Sequence, residues 1–308
     1  MMNYLSLVCA VSISAPLVFA KPIVNTIDAP VGGKLTTGAL EQIKDAARTG
    51  KASLSQSEYE DVVADPQKAR TDGQKVAALS AREMIIMVDK SGSMNRSDDN
   101  PTGGASANWT RWDSARIAAE SLSELMLNLD KSGAVDVVFW EGQPGTGELV
   151  YEAAEMRSCE DITKMFTTKK PQRGSTPLYL ALERVYEKKL HNLLQKGEPF
   201  TVVILTDGEP DPGQAQQTKQ FFKKVIRDND LESKGRETLA AFSFVRMGDD
   251  PTAAQFLKDL DDNLIKELDV KVDIVDTEED NFLFGTGKYK GKDGVGPFAL
   301  LWNVLFNS

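Results

Sequence analysis

The sequence is poor in the residues on which several classes of site depend. Its 308 residues include two cysteines and one histidine. A zinc site built from several histidines or from four cysteines is therefore excluded, and so is a scaffold held by many disulfides. A Ser-His-Asp triad would have to rest on His191 alone, for which the sequence nominates no Ser or Asp partner.

The chain also carries an excess of negative charge. It has 46 Asp and Glu against 36 Lys and Arg, for a net charge of −10. Such a chain is repelled by the phosphates of nucleic acid and of an anionic membrane surface, so neither is expected as a partner. A hydrophobic fraction of 41% with 27% charged residues is that of a folded globular protein and not of a disordered one.

The first twenty residues have the pattern of an export signal. Residues 1–20 contain no charged side chain, are mostly apolar from Leu5 to Ala15, and end in Val18-Phe19-Ala20 with small residues at the −3 and −1 positions. We expect a signal peptide cleaved after Ala20 and a secreted or periplasmic protein. Cleavage would remove Cys9 and leave Cys159 without a partner for an internal disulfide. No other segment is long enough to cross a bilayer, so no membrane span is expected in the mature chain.

The remainder divides into a short helical region and a larger domain. Residues 21–80 lack a strong apolar strand and show helical patterns at about Ala39–Arg48, Gln56–Ala64 and Gln74–Leu79. We predict a helical extension over residues 21–80 and a single domain over residues 81–308.

From residue 83 onward, strand and helix patterns alternate. The predicted strands are Met84–Val88, Val135–Trp140, Glu148–Tyr151, Thr201–Leu205, Thr238–Val245 and Val270–Val275. The predicted helices are Trp112–Leu129, Pro177–Leu194, Ala215–Asn229, Ala253–Leu268 and Pro297–Phe306. This alternation predicts an α/β fold: a doubly wound, mostly parallel Rossmann-like sheet with helices on both faces. A ligand site is then expected at the carboxyl ends of the central strands.

Three loops rich in oxygen ligands occur at such positions. The first strand runs into Asp89, Ser91 and Ser93, whose alternating spacing lets one turn aim a carboxylate and two hydroxyls at one point. Thr176 precedes the long helix, and Asp207 follows the strand Thr201–Leu205. An all-oxygen ligand set suits a hard cation, Mg²⁺ above all, with Mn²⁺ or Ca²⁺ as alternatives.

These residues resemble the metal-ion-dependent adhesion site of a von Willebrand factor type A domain. That family has the pattern Asp-x-Ser-x-Ser, then a Thr, then an Asp at the end of a later strand, which this sequence matches at Asp89, Ser91, Ser93, Thr176 and Asp207. The resemblance covers about residues 82–276. It implies one short antiparallel edge strand, for which Glu148–Tyr151 is the candidate. It also implies that the three hydroxyls bind the metal directly, while the two carboxylates act directly or through water.

The resemblance implies a protein-binding module and not an enzyme. The expected partner is a protein that completes the shell of the cation with an Asp or Glu carboxylate. Two other functions remain open: a structural or assembly role based on the 21–80 segment, and a metal-assisted hydrolase, which would need Glu209 or Asp211 as its general base.

Overall fold

The computed structural model describes residues 54–64, 66–69, 71–98, 108–129, 132–208, 210–233, 235–290 and 296–306. The expected signal peptide, its cleavage after Ala20 and the expected helix Ala39–Arg48 lie outside these residues. Glu209 lies outside them as well.

A single six-stranded sheet forms the centre of the described structure. Its strands are β1 (Glu83–Asp89), β2 (Val135–Gly142), β3 (Leu149–Met156), β4 (Phe200–Thr206), β5 (Ala240–Arg246) and β6 (Val275–Glu279). They lie in the order β3-β2-β1-β4-β5-β6, with β3 antiparallel to β2 and every other pair parallel. This is the strand order of a doubly wound α/β sheet, and it confirms the predicted fold class.

The two central strands explain why the sheet needs helices on both faces. Every residue of β4 is buried, and so is every residue of β1 except its first, Glu83. A strand that is buried on both sides has an apolar run in place of alternation, which is the pattern that both segments show.

The helices cover the two faces of the sheet. The described helices are α1 (Gln56–Ala64), α2 (Asp72–Ser80), α3 (Arg111–Leu129), α4 (Cys159–Thr168), α5 (Leu178–Val185), α6 (His191–Lys196), α7 (Gln214–Asp228), α8 (Pro251–Leu268), α9 (Asp280–Phe284) and α10 (Pro297–Phe306). One hydrophobic cluster joins α3, α4 and α10 to one face, and a second joins α5, α7 and α8 to the other. Within the described ranges, no helix is both long and apolar enough to span a membrane.

Three elements differ from the sequence-based expectation. The predicted helix Pro177–Leu194 contains a π-helical stretch, Tyr186–Leu190, between α5 and α6. Helix α4 was not predicted. The predicted strand Val270–Val275 is wrong, because residues 270–274 form a loop and the ladder with β5 begins at Val275. The predicted antiparallel edge strand is confirmed and extends over β3.

The short helix α2 shares the core of the sheet domain. Val76 and Leu79 are fully buried in the cluster that contains α3 and α10, and Lys75 Nζ lies 4.2 Å from the centre of the Trp302 ring on α10. A Thr71–Gln74 capping box fixes the start of α2. The division of the chain at residue 80 stays a prediction.

Candidate metal centre

The loops that follow β1 and β4 meet because these strands are neighbours in the sheet. The Oγ atoms of Ser91 and Ser93 lie 3.0 Å apart, and Ser93 Oγ donates to Asp207 Oδ1 at 2.8 Å. Ser91 and Asp207 are buried, whereas Ser93 is half-buried. Three of the five predicted ligands therefore form one continuous chain of oxygen atoms.

Asp89 lies at the base of this chain of oxygens, at the end of β1. Its Oδ1 accepts a hydrogen bond from Ser91 N at 2.7 Å, and its Oδ2 accepts one from Thr206 Oγ1 at 2.7 Å. Burial, and then the negative charge of Asp207, raise the pKa of Asp89 to about 7. A cation placed beside Asp89 would favour the ionised form of this carboxylate.

Thr176 approaches the same point from the loop before α5. A Cβ atom built on Gly208 would lie 3.4 Å from Thr176 Oγ1 and 3.9 Å from Ser93 Oγ, so the two hydroxyls flank Gly208. Asp211 fixes this loop, since its two carboxylate oxygens accept hydrogen bonds from Thr176 N at 2.8 Å and Ser175 Oγ at 2.7 Å. Asp211 is thus a bracing residue, which is a role that sequence reasoning did not assign to it.

Glycines allow the backbones of these loops to approach one another closely. Gly92 N donates to Gly174 O at 3.0 Å, and Gly142 N donates to Ser175 O at 2.9 Å. A Cβ atom on Gly174 would lie 2.3 Å from Gly142 O, and one on Gly92 would lie 2.9 Å from the carbonyl oxygen of Gln172. No side chain fits at either position without moving the loops apart.

A buried ion pair anchors the first loop to β2. Lys90, between two predicted ligands, places its Nζ 2.9 Å from Glu141 Oε1, and the two side chains are 5% and 3% exposed. Lys90 Nζ also lies 3.3 Å from Glu152 on β3. The pair thereby links the loop after β1 to the end of β2.

Arg111, the first residue of α3, contacts Asp207 directly. Its Nη1 lies 2.8 Å from Asp207 Oδ2, with side-chain exposures of 6% and 0%. Sequence reasoning missed this residue. A signal was available, because a positive charge in the first turn opposes the helix dipole and needs a compensating partner.

The donor chemistry of this point fits a hard divalent cation. Among the described residues, no three His, Cys, Asp or Glu side chains gather into a metal-binding cluster. A cation here would therefore depend on hydroxyls together with two carboxylates. Oxygen donors from Asp89, Ser91, Ser93, Thr176 and Asp207 suit Mg²⁺ or Mn²⁺ better than a softer metal.

A separate cleft of about 230 Å³ lies between α5 and α7. Tyr179, Tyr186 and Phe221 are among the residues that line it, and none of the five predicted ligands does.

Comparison with known proteins gives distant likenesses. No protein-family model matches the sequence, and no curated protein is significantly similar to it. Among solved structures, the crystal structure of the SpRpn10 VWA domain is similar with a TM-score of 0.43 and 12% identity, over 64% of this chain and 87% of that one. The RO (RSR) protein of Deinococcus radiodurans is similar with a TM-score of 0.31 and 14% identity, over 73% of this chain and 47% of that one. At these values the likenesses carry no argument about function, and the fold rests on the strand order itself.

Proposed function

We propose that this chain is an exported protein-binding module that depends on a divalent cation. The cation, Mg²⁺ or else Mn²⁺ or Ca²⁺, is held by Asp89, Ser91, Ser93, Thr176 and Asp207. A partner protein supplies an Asp or Glu carboxylate that completes the coordination shell. The observation that carries this proposal is the hydrogen-bonded chain from Ser91 through Ser93 to Asp207, which joins loops from two neighbouring strands.

The chemistry of the ligands explains why the partner would be acidic. Hydroxyl oxygens are neutral donors, so the two carboxylates supply all the negative charge of the ligand set. A dication held mainly by neutral oxygens keeps a strong attraction for an anionic oxygen from outside. The half-buried Ser93 and Gly208 lie on the more exposed side of the site, where such a group would approach.

We propose no catalytic role for the site. Of the two candidates for a general base, Glu209 lies outside the described residues, and Asp211 has both oxygens engaged by Ser175 and Thr176. A carboxylate held in this way is a poor acceptor for a proton from a metal-bound water.

Peptide binding tests the proposal. We expect short peptides with a central Asp or Glu to bind the immobilised chain in Mg²⁺ and to be released by EDTA. The matched control is the same set of peptides with Asn or Gln at the central position, which should not bind. Binding that persists in EDTA, or that does not distinguish Asp from Asn, would contradict the proposed function.

A further inference from the structure

We propose that Arg111 is a built-in counter-charge that weakens the binding of the free cation and makes the loaded site dependent on an anionic partner. This inference rests on the proposed function and deepens it. Its basis is the contact between the Arg111 guanidinium and one of the two carboxylates of the site.

Asp207 serves two partners with its two oxygens. Its Oδ1 accepts from Ser93 Oγ at 2.8 Å, on the side of the predicted ligands, while its Oδ2 lies 2.8 Å from Arg111 Nη1. The guanidinium therefore does not block the oxygen that faces the other ligands. Arg111 neutralises the charge of Asp207 and leaves Asp207 Oδ1 available to a cation.

The guanidinium is held in a space that is shaped for it. Gly248 has a φ of +78°, and a Cβ atom there would lie 2.5 Å from Arg111 Nε. Arg111 Nε is buried without a hydrogen-bond partner in the described structure. The side chain is 6% exposed, so we assign it an effect on the charge of the site and on the position of Asp207, and no direct contact with a partner protein.

Counting formal charges shows what Arg111 does to the loaded site. Two ionised carboxylates and one guanidinium give a net charge of −1, which a dication changes to +1. Without Arg111 the loaded site would be neutral. This count covers only Arg111 and the two carboxylates of the ligand set. Asp249, which lies 3.7 Å from Arg111, Asp250 and the buried Asp280 beside Gly248 also carry charge near the guanidinium, but they are the same with and without Arg111. Removing Arg111 therefore changes the charge of the site by one unit.

The surplus charge has two consequences. The first is that a free dication binds less tightly than the oxygen ligands alone would allow, since it must approach a fixed positive charge. The second is that an added carboxylate restores neutrality, so cation and anion bind with positive coupling. Arg111 thereby favours the ternary complex over the site that contains metal alone.

Titration of Mn²⁺, followed by the electron paramagnetic resonance signal of the free ion, tests the proposal. We expect Arg111→Met to bind Mn²⁺ at least about tenfold more tightly than the wild type. Arg111→Lys, which keeps the charge, should stay near the wild-type affinity. Arg116→Met is the matched control, because Arg116 lies on the same helix and pairs with Glu120 away from the site; it should leave the affinity unchanged.

Replacing chloride by acetate at constant ionic strength tests the coupling. Acetate should tighten Mn²⁺ binding by the wild type and have little effect on Arg111→Met. Because Arg111→Met leaves Asp207 unpaired, the variant is expected to be marginal without metal. The rise of its thermal midpoint with Mn²⁺ concentration then reports the same affinity, and failure to fold even in Mn²⁺ would overturn the proposal.

The outcomes separate this inference from the proposed function. If the wild type binds Mn²⁺ as tightly as Arg111→Met or more tightly, the proposed role of Arg111 is overturned, and the metal site is not affected. Absence of Mn²⁺ binding in both folded proteins would overturn both.

Discussion

Ser93 and Asp207, which are 114 positions apart in the chain, are joined by a hydrogen bond of 2.8 Å from Ser93 Oγ to Asp207 Oδ1. The contact exists because β1 and β4 are adjacent and parallel, so that the loops after them leave the same edge of the sheet. Neither residue needs a cation to reach the other. A ligand that binds here would find two of its oxygen donors already oriented.

Removing the Ser93 hydroxyl should therefore weaken the site without unfolding it. We expect Ser93→Ala to lower Mg²⁺ affinity by about tenfold or more, since one donor is lost and Asp207 Oδ1 loses its hydrogen bond. The thermal midpoint in EDTA should fall by no more than a few degrees, because water can replace a half-buried hydroxyl. Titration calorimetry and thermal unfolding measure the two effects. Ser97→Ala, at an exposed serine four residues further on, is the matched control; an equal loss of affinity in both variants would contradict this reading.

Gly174→Ala should push the loop that carries Thr176 away from the end of β2. The new Cβ would lie 2.3 Å from Gly142 O, a distance that only a backbone shift can relieve. We expect a thermal midpoint lower by several degrees and a loss of Mg²⁺ binding. Gly145→Ala provides the comparison, because Gly145 has a φ of +90° but no atom within 4 Å of a built Cβ. That variant should show backbone strain of about 1–2 kcal/mol and normal Mg²⁺ affinity. Normal Mg²⁺ affinity in Gly174→Ala as well would contradict the expectation that a Cβ at position 174 displaces the loop.

The buried pair Lys90–Glu141 predicts strong non-additivity. Lys90→Met would leave the Glu141 carboxylate buried without its cation, at a cost of about 3–5 kcal/mol in the free energy of unfolding. Adding Glu141→Leu should recover most of that loss, because an apolar pair of similar volume needs no charge partner. Urea unfolding of the two single variants and the double variant measures the coupling energy. Single losses that simply add in the double variant would show that the pair does not anchor the loop.

The sequence was sufficient to predict the central strands and to place the oxygen-rich loops at their ends. Strands β1 and β4 are apolar runs that end directly in oxygen-rich turns, so strand ends and candidate ligands are encoded within a few residues of one another. What could not be predicted depends on contacts between distant segments. The approach of Arg111 to Asp207 requires the packing of α3 against the sheet, and no local pattern specifies which carboxylate the guanidinium meets.

Two further differences have local causes. Helix α4 buries only Ile162 and Phe166, four residues apart, which is too narrow an apolar stripe to stand out in a short segment. In the segment before β6, Val270, Val272 and Ile274 alternate as a strand would. The chain uses these residues to return from the left-handed turn at Asp269 to the edge of the sheet. The strand itself is acidic, because β6 is an edge strand with only its first residue fully buried.

The acidic segment 273–279, which comprises β6 and the end of the loop before it, predicts a stability that depends on pH. Burial raises the pKa of Asp273 and Asp276 to about 6 and that of Glu278 to about 7, and neighbouring carboxylates, including Asp261, add to the shift. Because these folded-state values lie above the unfolded ones, the folded protein binds the protons more tightly. The contribution to stability is complete at a pH below the unfolded pKa values and is lost as the pH rises through about 6 to about 7.

We therefore expect the free energy of unfolding in EDTA to be larger at about pH 5 than at about pH 8, by on the order of 1–2 kcal/mol after allowance for solvent screening. Asp276→Asn together with Glu278→Gln should reduce this dependence, while Asp89, whose pKa of about 7 falls in the same range without a cation, retains a part of it. Lys258 and Asp262 form an exposed ion pair on α8. Asp262→Asn therefore serves as the control, and it should leave the pH dependence of the unfolding free energy unchanged. Urea unfolding across this pH range makes the measurement; stability that rises toward pH 8 would contradict the expected sign.

The central claim is that this edge of the sheet holds a divalent cation, and titration calorimetry of Mg²⁺, Mn²⁺ and Ca²⁺ tests it most directly. Three proteins are compared: the wild-type chain, the double variant Asp89→Ala with Asp207→Ala, and Asp228→Asn as a surface carboxylate control. We predict that the wild type and Asp228→Asn bind one cation per chain and that the folded double variant binds none. A folded wild-type chain that binds no cation, or a double variant that binds as the wild type does, would contradict the account.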